Sequence, residues 1–126
     1  MKTLRLPLLA VTLAAVLAAC GSASADGEGA DPAAADVTVT AAEMAFEADT
    51  ATAQAGEAFT LALVNQDAMP HNVAIYTDSS KSEKLFEGEM VTDGTIVYDI
   101  EALEPGEYFF DCSLHPDMTG TLVVGG

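Results

Sequence analysis

Apolar and polar residues alternate along most of the chain after residue 36. A period of two is typical of β-strands that bury one face, and turn-forming pairs such as Ala55-Gly56, Asp93-Gly94, Pro105-Gly106 and Thr119-Gly120 separate the runs. Several short strands joined by such turns predict an all-β fold, an antiparallel β-sandwich. The predicted inward residues are Val37, Val39, Met44, Phe46, Phe59, Leu61, Leu63, Val73, Ile75, Ile96, Tyr98, Ile100, Tyr108, Phe110, Cys112, Leu122 and Val124.

Residues 79–87 interrupt this alternation. Ser80 and Glu83 have the spacing of a helix capping box, and Gly88 fits a helix stop. The segment therefore predicts one short helix of one or two turns.

The first nineteen residues have the pattern of a secretion signal, with Lys2 and Arg5 ahead of a short apolar run. The run ends in Leu17-Ala18-Ala19-Cys20, which resembles a bacterial lipobox, in which the cysteine is acylated. We expect residues 1–19 to be a lipoprotein signal peptide and Cys20 to be the lipidation site. The alternative is an ordinary signal peptide cleaved after Ala19 or Ala25.

Composition divides the remaining chain into two parts. Residues 20–36 contain Gly, Ser, Ala, Asp, Glu and one Pro after the cysteine, without apolar periodicity, which predicts a flexible linker. Residues 37–126 then form a single small domain, whose stability would be marginal without a well-packed sandwich or a bound metal.

The chain is strongly acidic, with a formal charge of −16. Without residues 1–19, two lysines, Lys81 and Lys84, stand against the same twenty acidic residues, which gives −18. Such a surface excludes nucleic acid as a partner, because almost nothing could neutralise phosphates. The acidity indicates either attraction to a basic protein or a generally soluble surface.

Cys112 is the only thiol left if Cys20 is lipidated, so it cannot form an internal disulfide. His115 and Met118 follow it in a predicted loop, and the only other histidine, His71, precedes a predicted strand. Two imidazoles, one thiolate and a weak thioether are the donors of a type 1 copper site. Zinc would favour a stronger fourth ligand or an open water position.

These residues resemble those of the small blue copper proteins, the cupredoxins, and among them the plastocyanin and amicyanin group. The resemblance rests on Pro70-His71-Asn72, on Gly106-Glu107-Tyr108-Phe109-Phe110-Asp111-Cys112, and on Cys112-x-x-His115-x-x-Met118 with Gly120 behind it. It covers residues 37–126 and implies a Greek-key, cupredoxin-like β-sandwich with one copper ion.

The resemblance also implies a role for each site residue. Cys112 would form the short copper bond, His71 and His115 would complete the plane, and Met118 would be the distant axial ligand. Asn72 would connect the two ligand loops, with Ser113 as its hydrogen-bond partner; its alternative role is to cap a turn.

Three residues depart from the family pattern. Leu114 stands where many such loops have proline, and Asp117 replaces an apolar residue of the rim. Asp111 occupies the outward-facing position at which plastocyanins expose a tyrosine, which argues against a second electron route there.

The function implied is the transfer of single electrons between redox partners outside the cytoplasm, with no enzymatic activity. We expect a monomer, lipid-anchored to the bacterial cell membrane or outer membrane, that meets a basic redox protein such as a c-type cytochrome or an oxidase. The first alternative is extracytoplasmic copper storage or delivery. A cupredoxin domain that serves only as an interaction module is the second, and the presence of all four ligands argues against it.

Overall fold

Two β-sheets pack face to face in the computed structural model, which describes residues 30–126. The predicted signal peptide, Cys20 and most of the predicted linker lie outside the described residues. The strands of the described part are β1 (Val37–Ala42), β2 (Ala45–Phe46), β3 (Thr50–Gln54), β4 (Phe59–Asn65), β5 (Ala74–Tyr76), β6 (Lys84–Glu87), β7 (Gly94–Ile100), β8 (Gly106–Cys112) and β9 (His115–Gly125).

The strand order is β2-β1-β4-β7 in one sheet and β3-β9-β8-β5-β6 in the other. The all-β sandwich is therefore confirmed, but the sheets are mixed, because β1 pairs with β4 and β3 pairs with β9 in parallel. The cause is the crossover of β3: the chain leaves the first sheet after β2, joins the second sheet, and returns to place β4 beside β1. Parallel neighbours require such a crossover.

The core contains most of the predicted inward residues. Phe110, Leu61, Leu63, Ile75 and Leu122 are each about 1% exposed or less. Met44 is an exception to the prediction: it is 45% exposed and lies in the tight turn between β1 and β2, with a positive φ of 62°.

The predicted helix at residues 79–87 is wrong. Lys84–Glu87 forms β6, which pairs with β5 at the edge of the second sheet. This pairing packs Phe86 against Tyr98, with ring centroids 5.4 Å apart, so tertiary contacts override the local helix signal. Gly88 is not a helix stop: a Cβ there would lie 2.5 Å from the Tyr98 ring.

The predicted turn at Thr119-Gly120 is also absent, because β9 runs without interruption from His115 to Gly125. Gly120 pairs with Phe110 in the neighbouring strand, and a Cβ at this position would overlap the Phe110 ring. Glycine is required here to leave room for an aromatic ring in the core.

The chain is already ordered before β1. Pro32–Ala34 form a single 3-10 turn, and the Asp36 carboxylate accepts hydrogen bonds from the backbone N–H of Thr60 at 2.8 Å and from its hydroxyl at 2.9 Å. These contacts attach the end of the predicted linker to β4. Among residues 30–126, no helix has the length and apolar character needed to cross a bilayer.

Candidate metal centre

The loop between β4 and β5 carries His71, which lies completely buried. Its backbone exchanges two hydrogen bonds with Val91, at 3.0 and 2.9 Å. The buried Asn65 side chain donates to the carbonyls of Met69 and Val91, at 2.7 and 2.8 Å. Because both sides of the loop are tied to Val91, the position of His71 is set by the backbone around it.

The other three predicted ligands come from the hairpin of β8 and β9. Alternation along β8 buries Cys112 below Phe110, and an irregularity in register between Asp111 and Cys112 brings Cys112 opposite His115. Met118 follows in β9 and is 1% exposed. His115 is only half-buried.

The structure brings the nitrogen and thiol donors together. The Nδ1 atoms of His71 and His115 are 3.1 Å apart, and Cys112 Sγ lies 3.8 Å from the first and 3.5 Å from the second. Metal bonds of about 2.0–2.3 Å, the lengths zinc forms with nitrogen and thiolate, would space three coplanar donors about 3.5–3.8 Å apart. The two sulfur–nitrogen distances match this spacing and the nitrogen–nitrogen distance is shorter, so the three donors lie within reach of a single metal ion. The buried Met118 of the same hairpin would add the thioether that suits copper.

Asp67 holds the His71 ring from its far side. Its carboxylate lies 2.9 Å from His71 Nε2 and also accepts the backbone N–H groups of Glu43 and Met44. The Met44 N–H is the largest cause that lowers the pKa of Asp67, and His71 adds to the shift. An ionised carboxylate can only accept, so the His71 ring donates to it through Nε2, which leaves Nδ1 as the ring nitrogen that faces His115 and Cys112.

Sequence reasoning missed Asp67. The signal available was its spacing, four residues before a predicted ligand histidine, but a single acidic residue in an acidic chain carries little information by itself.

Asn72 connects the two loops that carry the predicted ligands. Its amide nitrogen donates to the Gly88 carbonyl at 2.9 Å and to the Ser113 hydroxyl at 3.2 Å, and its oxygen accepts from the Ser113 backbone N–H at 2.9 Å. Ser113 in turn donates to Glu87 at 2.9 Å. The residue after His71 is thus bonded to the residue after Cys112.

Asp111 does not face solvent, contrary to the sequence expectation. It lies on the face of β8 opposite Cys112, as the alternation requires, but it is completely buried. Lys81, from the loop between β5 and β6, covers it and donates to one carboxylate oxygen at 2.6 Å. A residue from a distant segment therefore contributes to this burial.

Exposed apolar side chains lie near both histidines of the centre in the sequence. Leu114 is 54% exposed and Met69 is 49% exposed, and Pro116 is exposed as well. Asp117 is exposed on the same loop and places a charge among them. The centre therefore reaches the surface only at His115, behind a partly apolar rim.

Comparison with known proteins agrees with this geometry. The model of the Cupredoxin-like domain family matches residues 9–124. Amicyanin of Paracoccus versutus is 38% identical over 70% of this chain, and the match spans 64% of that protein's length. Amicyanin-alpha of Methylorubrum extorquens is 33% identical over 91% of this chain and 98% of its own.

The crystal structure of the Paracoccus versutus amicyanin has a TM-score of 0.59 with this structure. It is 36% identical, and the match covers 81% of this chain and 93% of that one. With the family match over nearly the whole sequence and the convergence of His71, Cys112 and His115, the chain belongs to the cupredoxin-like family, and its cofactor is a type 1 copper ion.

Proposed function

We propose that this protein carries single electrons outside the cytoplasm and has no enzymatic activity, with copper held by His71, Cys112, His115 and Met118. The observation that carries the proposal is the convergence of two imidazole nitrogens and a buried thiol within 4.8 Å of one another. The amicyanins to which the chain is similar support the same function.

The residues of the proposed copper centre have different roles in electron transfer. Bound copper supplies a Cu(I)/Cu(II) couple. Cys112 and Met118 exclude water from the inner side because both are buried, and Asp67 fixes the ring of His71. His115 is the only nitrogen donor of the centre that is partly exposed, so electrons from a reduced donor and to an oxidised acceptor pass through its edge.

Copper addition to the purified protein tests this proposal. Wild-type protein should become blue with Cu(II) and cycle reversibly in a redox titration. Cys112→Ser should abolish the charge-transfer colour, whereas Met118→Gln should keep a blue site and lower its potential. Leu85→Gln, which changes an exposed apolar side chain of β6, is the control and should change neither property. A blue Cys112→Ser variant would show that the ligand set is wrong.

The proposed partner is a basic redox protein, such as a c-type cytochrome or an oxidase. Both lysines between residues 30 and 126 are bonded to carboxylates, Lys81 to Asp111 and Lys84 to Glu87, so the domain presents a strongly negative field. Encounter with a basic surface should be steered by this field, and added salt should slow it because charges beyond about 8 Å are screened at physiological ionic strength.

Stopped-flow electron transfer to the endogenous acceptor across a salt series measures this steering. A steep fall in rate with salt supports it. A flat profile would mean that the acidity serves solubility, and would leave the copper centre unaffected.

We propose that lipidation of Cys20 attaches the protein to the membrane. Residues 1–19 would be the signal peptide, and residues 20–36 would be the lipidated N-terminus and the linker. The motif Leu17-Ala18-Ala19-Cys20 supports it. Cys20→Ser should move the protein from the membrane fraction to the soluble fraction without a change in its visible spectrum. A native N-terminus at any later residue would contradict the anchor.

A second candidate, copper delivery, is favoured by three exposed thioethers. Met44, Met69 and Met90 are 41–49% exposed. All three are near the His71 loop: Asp67 binds the Met44 N–H, Asn65 binds the Met69 carbonyl, and Met90 precedes Val91. Soft thioethers suit Cu(I). Transfer of Cu(I) to an acceptor without reversible cycling would favour delivery, whereas reversible cycling with retained metal would favour electron transfer.

A further inference from the structure

Asp111 is a buried carboxylate directly before Cys112 in the chain. One of its oxygens binds Lys81 Nζ at 2.6 Å, and the other, Oδ1, has no hydrogen-bond partner among the described residues. A buried carboxylate is costly unless it is paired and fully hydrogen-bonded. Asp111 therefore forms a buried ion pair with Lys81 in which one carboxylate oxygen is unsatisfied, one residue from the thiol.

Lys81 is held in place over this carboxylate. Its backbone has a positive φ of 57°, which is uncommon for lysine, and its N–H donates to the Asp78 carbonyl at 3.1 Å in a tight turn. Its ammonium lies 5.4 Å from the centroid of the Tyr76 ring. The hydrogen bond to Asp111 is the main cause that raises the pKa of Lys81, so the lysine is charged at neutral pH.

The two lysines of the domain differ in what they bind. Lys81 and Lys84 are the only basic side chains, apart from the histidines, between residues 30 and 126. Lys81 binds the residue before Cys112, and Lys84 binds Glu87, which accepts a hydrogen bond from the residue after Cys112. Lys81 is thus the only one of the two that is bonded to a buried carboxylate directly next to Cys112, whereas Lys84 is bonded to an exposed one.

We infer that Asp111 and Lys81 set the reduction potential of the copper, acting through the electric field at Cys112 and without touching the metal. The inference rests on the proposed electron-transfer function. A negative charge favours the oxidised, more positive state of the centre, so Asp111 lowers the potential and Lys81 opposes it.

The size of the effect follows from Coulomb's law. Adjacent residues of a strand point to opposite faces, which places the Asp111 carboxylate on the order of 10 Å from the Cys112 sulfur, which would bind the metal. At an effective dielectric constant of about 20, one unit charge at that distance changes the ratio of Cu(I) to Cu(II) roughly tenfold at a fixed ambient potential. A tenfold change is 59 mV for a one-electron couple.

A double-mutant cycle tests the inference. Asp111→Asn keeps the shape and removes the charge, and Lys81→Met keeps most of the chain length and removes the ammonium. In redox titrations of the copper-loaded proteins, Asp111→Asn should raise the Cu(I)/Cu(II) ratio about tenfold, Lys81→Met should lower it, and the double variant should lie between them. Lys84→Met removes the same charge from an exposed pair and should change the ratio much less.

Urea unfolding of the metal-free proteins provides a second measurement that does not depend on copper. Lys81→Met should destabilise the fold because it leaves Asp111 buried without a partner, and Asp111→Asn in the same chain should recover part of the loss. Recovery shows that the two charges interact directly.

The outcomes separate the two proposals. A wild-type protein that cycles reversibly, with Asp111→Asn and Lys81→Met both within twofold of its ratio, would overturn the inference and leave the electron-transfer function intact. A wild-type protein that binds copper but does not cycle would overturn the function and the inference with it. Opposite shifts in the two single variants, with a small shift in Lys84→Met, support the inference.

Discussion

Asn72→Ala should destabilise the protein although it leaves the four predicted copper ligands in place. The Asn72 side chain is 1% exposed and makes three hydrogen bonds, two with Ser113 and one with the Gly88 carbonyl. Each contributes about 1 kcal/mol net, so their joint loss should cost about 3 kcal/mol. The hydrogen bonds that are lost connect the loop of His71 to the loop of Cys112.

Unfolding of the metal-free protein measures this cost. For a domain of this size, a loss of about 3 kcal/mol lowers Tm by about 12–24 °C. The copper-loaded Asn72→Ala protein should also release its metal to a chelator faster than wild type, because the two loops can separate more easily. Circular dichroism on heating gives the first quantity, and the decay of the visible absorption gives the second.

Ser113→Ala is the matched control. It removes the exposed hydroxyl of Ser113 but keeps the hydrogen bond from its backbone N–H to Asn72. We expect a cost below about 1 kcal/mol, since only weak or exposed contacts are lost. Equal destabilisation by the two variants would refute the reasoning, because the connection would then depend on the hydroxyl and not on the asparagine. A loss below about 1 kcal/mol in Asn72→Ala would refute it as well.

Two further predictions concern the fold. Gly120→Ala should destabilise the protein by about 1–3 kcal/mol in urea titrations, because the added methyl overlaps the Phe110 ring, whereas Gly125→Ala, which meets no atom, should be nearly neutral. The backbone N–H of Thr60 is the main cause that lowers the pKa of Asp36 in the folded protein. The ionised carboxylate therefore stabilises the fold above about pH 4, the pKa of Asp36 in the unfolded chain. This stabilisation is lost as the pH falls through the lower pKa of the folded protein. Asp36→Asn should therefore make the free energy of unfolding less dependent on pH below about pH 4. An unchanged pH dependence in that range would contradict this role.

The metal centre was accessible from the sequence because its chemistry is local and rare. The segment from Cys112 to Met118 supplies three donor types, and the chain has only one other histidine. Alternation then predicted that Cys112 would be buried with Phe110, and the structure agrees. The strands with large inward residues were predictable for the same reason, since period two is a strong signal when one face is apolar.

The features that sequence reasoning missed depend on contacts between distant segments. β3 contains only Thr, Ala and Gln, so it has no apolar stripe, and its position at the sheet edge comes from pairing with β9. β6 has a helical signal that pairing with β5 overrides. The buried Asp111 is bonded to Lys81 from another loop, and no pattern around Asp111 records that contact.

The same distant contacts explain how the centre can exchange electrons with little rearrangement. Val91 holds the backbone of His71, and Asp67 fixes its ring. The pairing of β8 with β9 places Cys112 opposite His115, and Asn72 connects the two loops. None of these contacts is made by one metal-binding atom to another, so each donor is positioned by the protein itself. A centre positioned in this way needs little movement when its charge changes by one, which is the structural requirement for rapid single-electron transfer.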